Sequence, residues 1–98
     1  MYAAIRRYEG ADPKSTSDIL QMSTLTVVPM LREMPGFVAH YVVDAGQGVW
    51  ASISIFEDRD TAEESTRKIL ESIRDQFKSL LPNAPQVTTG EVVVIENR

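Results

Sequence analysis

The fold is decided by residues 37–56, which read FVAHYVVDAGQGVWASISIF. Both halves of this stretch are rich in aromatic and β-branched residues, which favour strands. They flank the segment AGQG at 45–48, whose two glycines can adopt positive φ at little cost. The second half also alternates with the period of two that a strand requires. These residues predict a β-hairpin with a four-residue loop, in which Asp44 lies opposite Val49.

The segments on either side of the hairpin complete the order strand, helix, strand, strand, helix, strand. Within the first predicted helix, Pro29 removes a backbone donor and predicts a kink or a short second segment. The order predicts a single α+β domain over residues 1–98, a ferredoxin-like βαββαβ fold with a four-stranded sheet and two helices on one face. The elements predicted outside the hairpin are a strand at Tyr2–Glu9, helices at Ile19–Met34 and from Asp60 up to Pro82, and a strand at Val87–Ile95.

The hairpin register assigns the side chains to two faces of the sheet. With Asp44 opposite Val49, the more aliphatic set shares a face with His40 and is expected to pack against the helices. The residues left on the other face form an apolar patch that is larger than a soluble monomer normally exposes. We therefore expect a homodimer with sheets packed face to face. The residues expected at its interface are Phe37, Tyr41, Val43, Trp50 and Phe56.

Composition limits the functional classes. The 98 residues carry a net charge of -4 and include no cysteine. An acidic chain is a poor partner for a phosphate backbone, and the lack of cysteine excludes disulfides, thiolate metal sites and cysteine nucleophiles. A single histidine cannot form a metal site by itself, and no apolar run approaches the roughly 20 residues of a membrane span. We expect a cytoplasmic protein without nucleic-acid or membrane partners.

Three segments resemble the antibiotic biosynthesis monooxygenase-like family of dimeric α/β barrels: MPGFVAHY at 34–41, the hairpin glycines, and VWASISIFED at 49–58. The resemblance spans nearly the whole chain. Members of that family include cofactor-free oxygenases acting on aromatic polyketide-like substrates, and haem-degrading enzymes. The haem branch uses a helix histidine, a helix tryptophan and a strand asparagine, and this chain has no His or Trp at 60–81 and no Asn at 2–9. If the protein is an enzyme, the resemblance implies a cofactor-free monooxygenase.

Two residues are the catalytic candidates. His40, the only histidine, can act as a general base or as a hydrogen-bond partner of a substrate, although a satisfied structural histidine is the commoner case. Arg6 and Arg7 are adjacent on a central strand, so they point to opposite faces and one of them can bind an anionic oxygen. A salt bridge at the sheet end is the commoner role for such an arginine. We take His40 and Arg7 as the catalytic pair.

Three aromatic residues are the substrate-binding candidates. Trp50 can stack on a planar substrate and Tyr41 can donate a hydrogen bond to it, although both residue types are also typical interface anchors. Phe77 is the third candidate, and its alternative role is in the core.

Two functional hypotheses therefore stand. The protein is a cofactor-free monooxygenase acting on a small aromatic or polyketide-like substrate, or it is a non-catalytic dimeric module that binds a small apolar molecule or a partner protein. A cavity too small for a ligand, or an aliphatic one in which His40 bonds the backbone, would favour the second.

Overall fold

The computed structural model describes all residues 1–98 and has the element order predicted from the sequence. The four strands form one antiparallel sheet in the order β2-β3-β1-β4, so the first and third strands are central as predicted. No helix has both the length and the hydropathy needed to cross a membrane. The strands are β1 (Tyr2–Tyr8), β2 (Phe37–Gly46), β3 (Val49–Phe56) and β4 (Gln86–Glu91), and the helices are α1 (Thr16–Met22), α2 (Val28–Arg32) and α3 (Arg59–Ser72).

The first helical region is divided where the sequence places its proline. Between α1 and α2 lies a π-helical segment, Ser23–Val27, and Pro29 stands in the first turn of α2. The wider turn lets the backbone N–H of Val28 donate to the carbonyl of Ser23, five residues earlier. Proline fits a first helical turn because its missing N–H would have no partner there. The predicted second segment near Pro29 is therefore confirmed.

The second helical region starts slightly earlier than predicted. Asp58, not Asp60, is the N-cap of α3, and its carboxylate accepts hydrogen bonds from the backbone nitrogen and the hydroxyl of Thr61, each at 2.9 Å. These bonds hold the pKa of Asp58 below its ordinary value. A second π-helical segment, Ile73–Phe77, follows α3. The helix packs against the sheet through Ala62, Ser65 and Ile69, which are all buried.

The hairpin register differs from the predicted one by one residue. The turn contains only Gln47 and Gly48, with φ of 54° and 78°, and Gly46 pairs with Val49. An irregularity between Asp44 and Gly46 absorbs one residue, so Asp44 lies opposite Trp50. Positive φ at both central residues gives the turn the twist that the flanking strands need. The predicted four-residue loop was therefore wrong.

This shift changes which residues of β3 face the helices, because side chains alternate along a strand. Trp50 is 4% exposed and Phe56 is 0% exposed, both on the helix-covered face. Phe37 pairs with Phe56 and packs edge-to-face against it, with ring centroids 5.7 Å apart. The prediction that these three residues face a second subunit was wrong, since they pack into the core of their own chain. Tyr41 and Val43 do lie on the open face, exposed as predicted.

The aliphatic residues of β3 also exchange faces. Ala51, Ile53 and Ile55 alternate with the buried residues of the strand and point to the open face, half-buried, although the sequence predicts them under the helices. The open face is apolar nonetheless, because Ile5 of β1 joins them there.

The last strand is shorter than predicted, ending at Glu91 instead of Ile95. β4 pairs only with β1, where Tyr2 lies opposite Glu91, and the final bond runs from the Val92 nitrogen to the Met1 carbonyl at 2.9 Å. Residues 93–95 are exposed.

Candidate functional site

A small cavity lies between the helix-covered face of the sheet and the helices. Its volume is about 30 Å³, room for one or two water molecules. The walls are mostly apolar, with Tyr8 and Trp50 from the sheet and Ile19 and Ile69 from α1 and α3. The polar exceptions are His40, Ser23 and Ser52. The cavity therefore combines a dry wall with a few polar atoms, as ligand sites do.

A buried arginine lies behind this cavity. Arg6, on the helix-covered side of β1, is 0% exposed. Its guanidinium donates to three hydroxyls: Nε to Ser52 Oγ at 2.9 Å, Nη1 to Thr66 Oγ1 at 2.7 Å, and Nη2 to Ser54 Oγ. None of these partners is a carboxylate. The hydroxyl dipoles thus replace the water that the charge has lost, and no anion offsets it.

The charge of this arginine persists at neutral pH. Burial lowers the pKa of Arg6 to about 10, and the neighbouring Tyr8 acts in the opposite direction. Even so, nearly every molecule carries the cation at pH 7. The site therefore has a fixed positive potential that favours negative charge developing nearby.

His40 connects the arginine to the cavity. Its Nδ1 lies 2.8 Å from Ser54 Oγ, the same oxygen that accepts from Arg6. Its other nitrogen, Nε2, is buried and has no hydrogen-bond partner. Burial, and secondarily the charge of Arg6, lower the pKa of His40 to about 4. The imidazole is therefore neutral at pH 7, and it has one unpaired polar atom in a residue that lines the cavity.

The structure brings together only some of the residues expected at the site. His40 lies on the helix side as predicted, and both His40 and Trp50 line the cavity. Arg7 points to the open face, where it pairs with Glu9, so it does not reach His40. Tyr41 also lies on the open face, 58% exposed.

The last predicted residue lies outside the cavity as well. Phe77, in the second π-helical segment, packs against the edge of the core and lines a separate surface groove between the two helical regions.

Sequence reasoning missed the polar cluster of Arg6, Ser52, Ser54 and Thr66. The signal was present in β3, where two serines alternate between Trp50 and Phe56. Small hydroxyls on the buried face of a strand beside a central arginine are what a buried guanidinium needs. The incorrect register placed these serines on the open face, away from Arg6.

Comparison with known proteins identifies the fold. No protein-family model and no curated protein matches the sequence. A protein of unknown function from Nitrosomonas europaea superposes with a TM-score of 0.79 at 16% identity, over 99% of this chain and 93% of that one. The ActVA-Orf6 monooxygenase of Streptomyces coelicolor, in complex with nanaomycin D, gives 0.71 at 16% identity over 98% and 92%. SnoaB, a cofactor-independent oxygenase of Streptomyces nogalater, gives 0.68 at 12% identity over 96% and 94%.

These likenesses define the fold of the protein. The chain has the α+β ferredoxin-like fold of the antibiotic biosynthesis monooxygenases, and the resemblance drawn from its sequence is confirmed at the level of the fold. Some of the similar structures are oxygenases and others have no known function. A fold supports many activities, so function has to be argued from the site.

Proposed function

We propose that the cavity beside His40 is the substrate site of a cofactor-independent oxygenase that acts on a small aromatic or polyketide-like molecule. One observation carries the proposal: His40 lines an apolar cavity, its buried Nε2 has no partner, and its Nδ1 is linked through Ser54 to the buried cation of Arg6. Buried polar atoms without partners are rare in proteins, and an ordered water or a bound ligand can supply the missing bond.

The chemistry suits a substrate that provides its own electrons. An anthrone, for example, reacts with O₂ to give an anthraquinone and water, so the methylene carbon loses two hydrogens and gains one oxygen atom. The methylene carbon loses a proton to solvent to give the enolate, and the enolate supplies the electrons that reduce O₂, so no metal or flavin is needed. A fixed cation and a hydrogen-bond donor near the enolate oxygen lower the energy of that anion. Arg6 does not line the cavity, so it acts through its field and through Ser54.

Substrate entry requires the cavity to enlarge. Its present volume of about 30 Å³ is about a tenth of the smallest usual ligand pocket. Ser23, Val27 and Ile73, which belong to the two π-helical segments, form part of its wall. Such segments recur at functional sites. We propose that the helical wall moves outward to admit the substrate.

Oxygen consumption with a panel of anthrones and hydroquinones tests the proposal. We expect aerobic turnover by the native protein and a loss of about 100-fold or more in His40→Leu, in line with the usual contribution of a positioned proton-transfer or hydrogen-bonding group. Arg7→Ala is the matched control, because this arginine is on the same strand but on the opposite face. Absence of turnover by the native protein would exclude the enzyme. Loss of turnover in Arg7→Ala would support Arg7, the arginine chosen from the sequence, as the catalytic one.

We also propose that a second copy of the chain covers the open face of the sheet, as a homodimer. The support is the apolar character of this face, where Ile5, Tyr41 and Val43 are 39%, 58% and 43% exposed. Ile53→Asp would put a charge in the middle of the face and should produce monomers in sedimentation equilibrium. Leu25→Asp is the control, since Leu25 is exposed on the helical side. A native protein that is monomeric at all concentrations would contradict the dimer.

The size of the cavity favours one alternative, a non-catalytic dimeric module that binds a small apolar molecule or a partner protein. It predicts that anthrone binds, or that nothing does, without oxygen consumption in either case. The cytoplasmic location and the independence from metals and cofactors remain predictions from the sequence.

A further inference from the structure

The hydroxyl of Ser54 is shared between a cation and an imidazole. A serine hydroxyl has one proton to donate and two lone pairs that accept. Arg6 Nη2 can only donate, so it occupies one lone pair of Ser54 Oγ. The remaining proton and lone pair face His40 Nδ1, at 2.8 Å. Ser54 is 0% exposed and has no other hydrogen-bond partner.

Only one tautomer of His40 satisfies this arrangement. If Nδ1 carried the proton, it would donate to the second lone pair of Ser54. The serine proton would then have no acceptor, and the lone pair of His40 Nε2 would be unsatisfied as well. If Ser54 donates to Nδ1 instead, the unpaired sites are one lone pair of Ser54 Oγ and the Nε2–H of His40. Ser54 does not line the cavity and His40 does, so an acceptor in the cavity can pair with the imidazole but not with an unpaired serine proton. Buried hydroxyl protons rarely go unpaired, so the second arrangement prevails.

We infer that His40 presents an N–H donor to the cavity through Nε2, that Ser54 is the positioning residue that holds it in this tautomer, and that the ligand is recognised by an acceptor oxygen. Carbonyl, phenolate and enolate oxygens have this chemistry. The inference rests on the proposed location of the ligand site, but it does not require that the ligand is turned over.

The same arrangement makes His40 a poor general base. In the favoured tautomer the lone pair of Nδ1 is already used by Ser54, and Nε2 has no lone pair to accept a substrate proton. The neighbouring guanidinium further disfavours a second positive charge on the ring. Of the two roles open to His40 from the sequence, the geometry selects that of a hydrogen-bond partner. Such a donor strengthens its bond as negative charge grows on the ligand oxygen, which is the requirement for stabilising an enolate.

Nitrogen NMR on the ligand-free protein tests the tautomer directly. The chain contains one histidine, so the two ring-nitrogen signals in a ¹⁵N-labelled sample belong to His40. At pH 7 we expect Nε2 to be the protonated nitrogen and Nδ1 the unprotonated one. Protonation of Nδ1 alone, or of both nitrogens, would overturn the inference.

Two serine variants separate positioning from packing. Ser54→Ala should mix the two tautomers, because it removes the only partner of Nδ1. Ser52→Ala removes a hydroxyl from the same face of the same strand, but its oxygen accepts from Arg6 Nε and not from His40. It should leave the tautomer unchanged. If both variants keep the Nε2–H form, Ser54 is not the positioning residue.

Ligand binding under anaerobic conditions tests the acceptor oxygen. Anthrone and anthracene have the same three-ring skeleton, and only anthrone carries a carbonyl oxygen. We expect anthrone to bind native protein at least about tenfold more tightly and to shift the His40 Nε2–H signal. The preference should persist in His40→Gln, which retains a donor, and disappear in His40→Leu. Equal affinities in the native protein, or no anthrone binding, would overturn the assignment of ligand class.

These experiments can refute the inference independently of the proposed function. A protein that holds the Nε2–H tautomer and prefers anthrone, but consumes no oxygen, refutes the oxygenase and leaves the inference intact. A protein that oxidises anthrone with Nδ1 protonated supports the oxygenase and refutes the inference.

Discussion

Arg6 and Arg7 are neighbours on the same central strand, yet they lie in opposite environments. Arg6 is buried under the helices, where three hydroxyls receive its guanidinium. Arg7 faces the open side, about half exposed, and its partner is the surface carboxylate of Glu9. An exposed ion pair contributes little to stability, whereas a buried cation without an anion persists only where the surroundings are built to solvate it. The helix-covered face therefore holds a buried cation with its polar partners, and the open face holds an exposed ion pair among apolar side chains.

The largest expected difference between the two faces concerns the stability contributed by their aromatic residues. Phe56→Ala should lower the free energy of unfolding by about 4 kcal/mol, because it empties a fully buried site. Tyr41→Ala on the open face should cost less than about 1 kcal/mol at low protein concentration, since the side chain is 58% exposed. Urea unfolding measures both. The opposite ranking would restore the register predicted from the sequence, in which Phe56 faces outward.

The second largest difference is expected between the stability losses caused by replacing the two arginines. Arg6→Ala removes the three hydrogen bonds of a buried guanidinium and leaves a cavity, and we expect a loss of about 3 kcal/mol. Arg7→Ala should change stability by less than about 0.5 kcal/mol. Urea midpoints of the two variants at one pH measure the difference. Equal losses would mean that the hydroxyl cluster does not support Arg6.

The burial of His40 on the helix-covered face should make the stability of the protein depend on pH. The pKa of His40 is lowered from 6.5 to about 4 in the folded protein. As the pH falls below 6.5, His40 becomes protonated in the unfolded chain but stays neutral in the folded chain. The contribution of His40 to the free energy of unfolding is therefore fully present above pH 6.5 and is lost as the pH falls toward 4. After discounting for partial exposure, the loss is about 2 kcal/mol.

Comparison with a variant isolates this part of the pH dependence. His40→Leu should lose less stability than native protein between pH 7 and pH 4.5, in urea titrations at each pH. The carboxylates titrate alike in both proteins, so they cancel in the difference. Parallel curves would contradict a neutral, buried His40.

The smallest effect concerns the turn that determines which residues of β3 face the helices. Gln47 is a non-glycine residue at a φ of 54°, where a side chain is strained. Gln47→Gly should therefore stabilise the protein by about 0.5–1 kcal/mol in thermal or urea unfolding. Gly48→Ala is the contrasting variant, because its Cβ would lie 2.2 Å from the Ala11 carbonyl oxygen. A destabilising Gln47→Gly would argue against the two-residue turn.

Much of the fold could be predicted from the sequence. The periodicities of two and 3.6 residues locate the strands and helices, Pro29 marks the division of the first helical region, and right-handed crossovers place β1 and β3 at the centre of the sheet. The positions of His40 and Tyr41 on opposite faces of β2 followed from alternation alone.

The sequence could not predict which side chains of β3 face the helices, because the assignment reverses when the hairpin register shifts by one residue. Glycines at 46 and 48 both tolerate positive φ, so the sequence alone permits turns of two or four residues. The shorter turn goes with an irregularity between Asp44 and Gly46, where the Asp44 carboxylate accepts a hydrogen bond from the Gly46 nitrogen at 2.9 Å. Preference for aliphatic residues under the helices then pointed the wrong way, since Ser52 and Ser54 are needed there to solvate Arg6. The choice of Arg7 over Arg6 has the same cause, because the face that holds the cation is decided by tertiary packing.

The small size of the cavity has a kinetic consequence. A ligand with three fused rings can enter only those molecules whose helical wall has already moved, so the rate of binding should stop rising at high ligand concentration and level off at the rate of opening. The apparent affinity is reduced by the fraction of molecules that are open. Substitutions that loosen the π-helical segments should therefore speed association without touching the ligand.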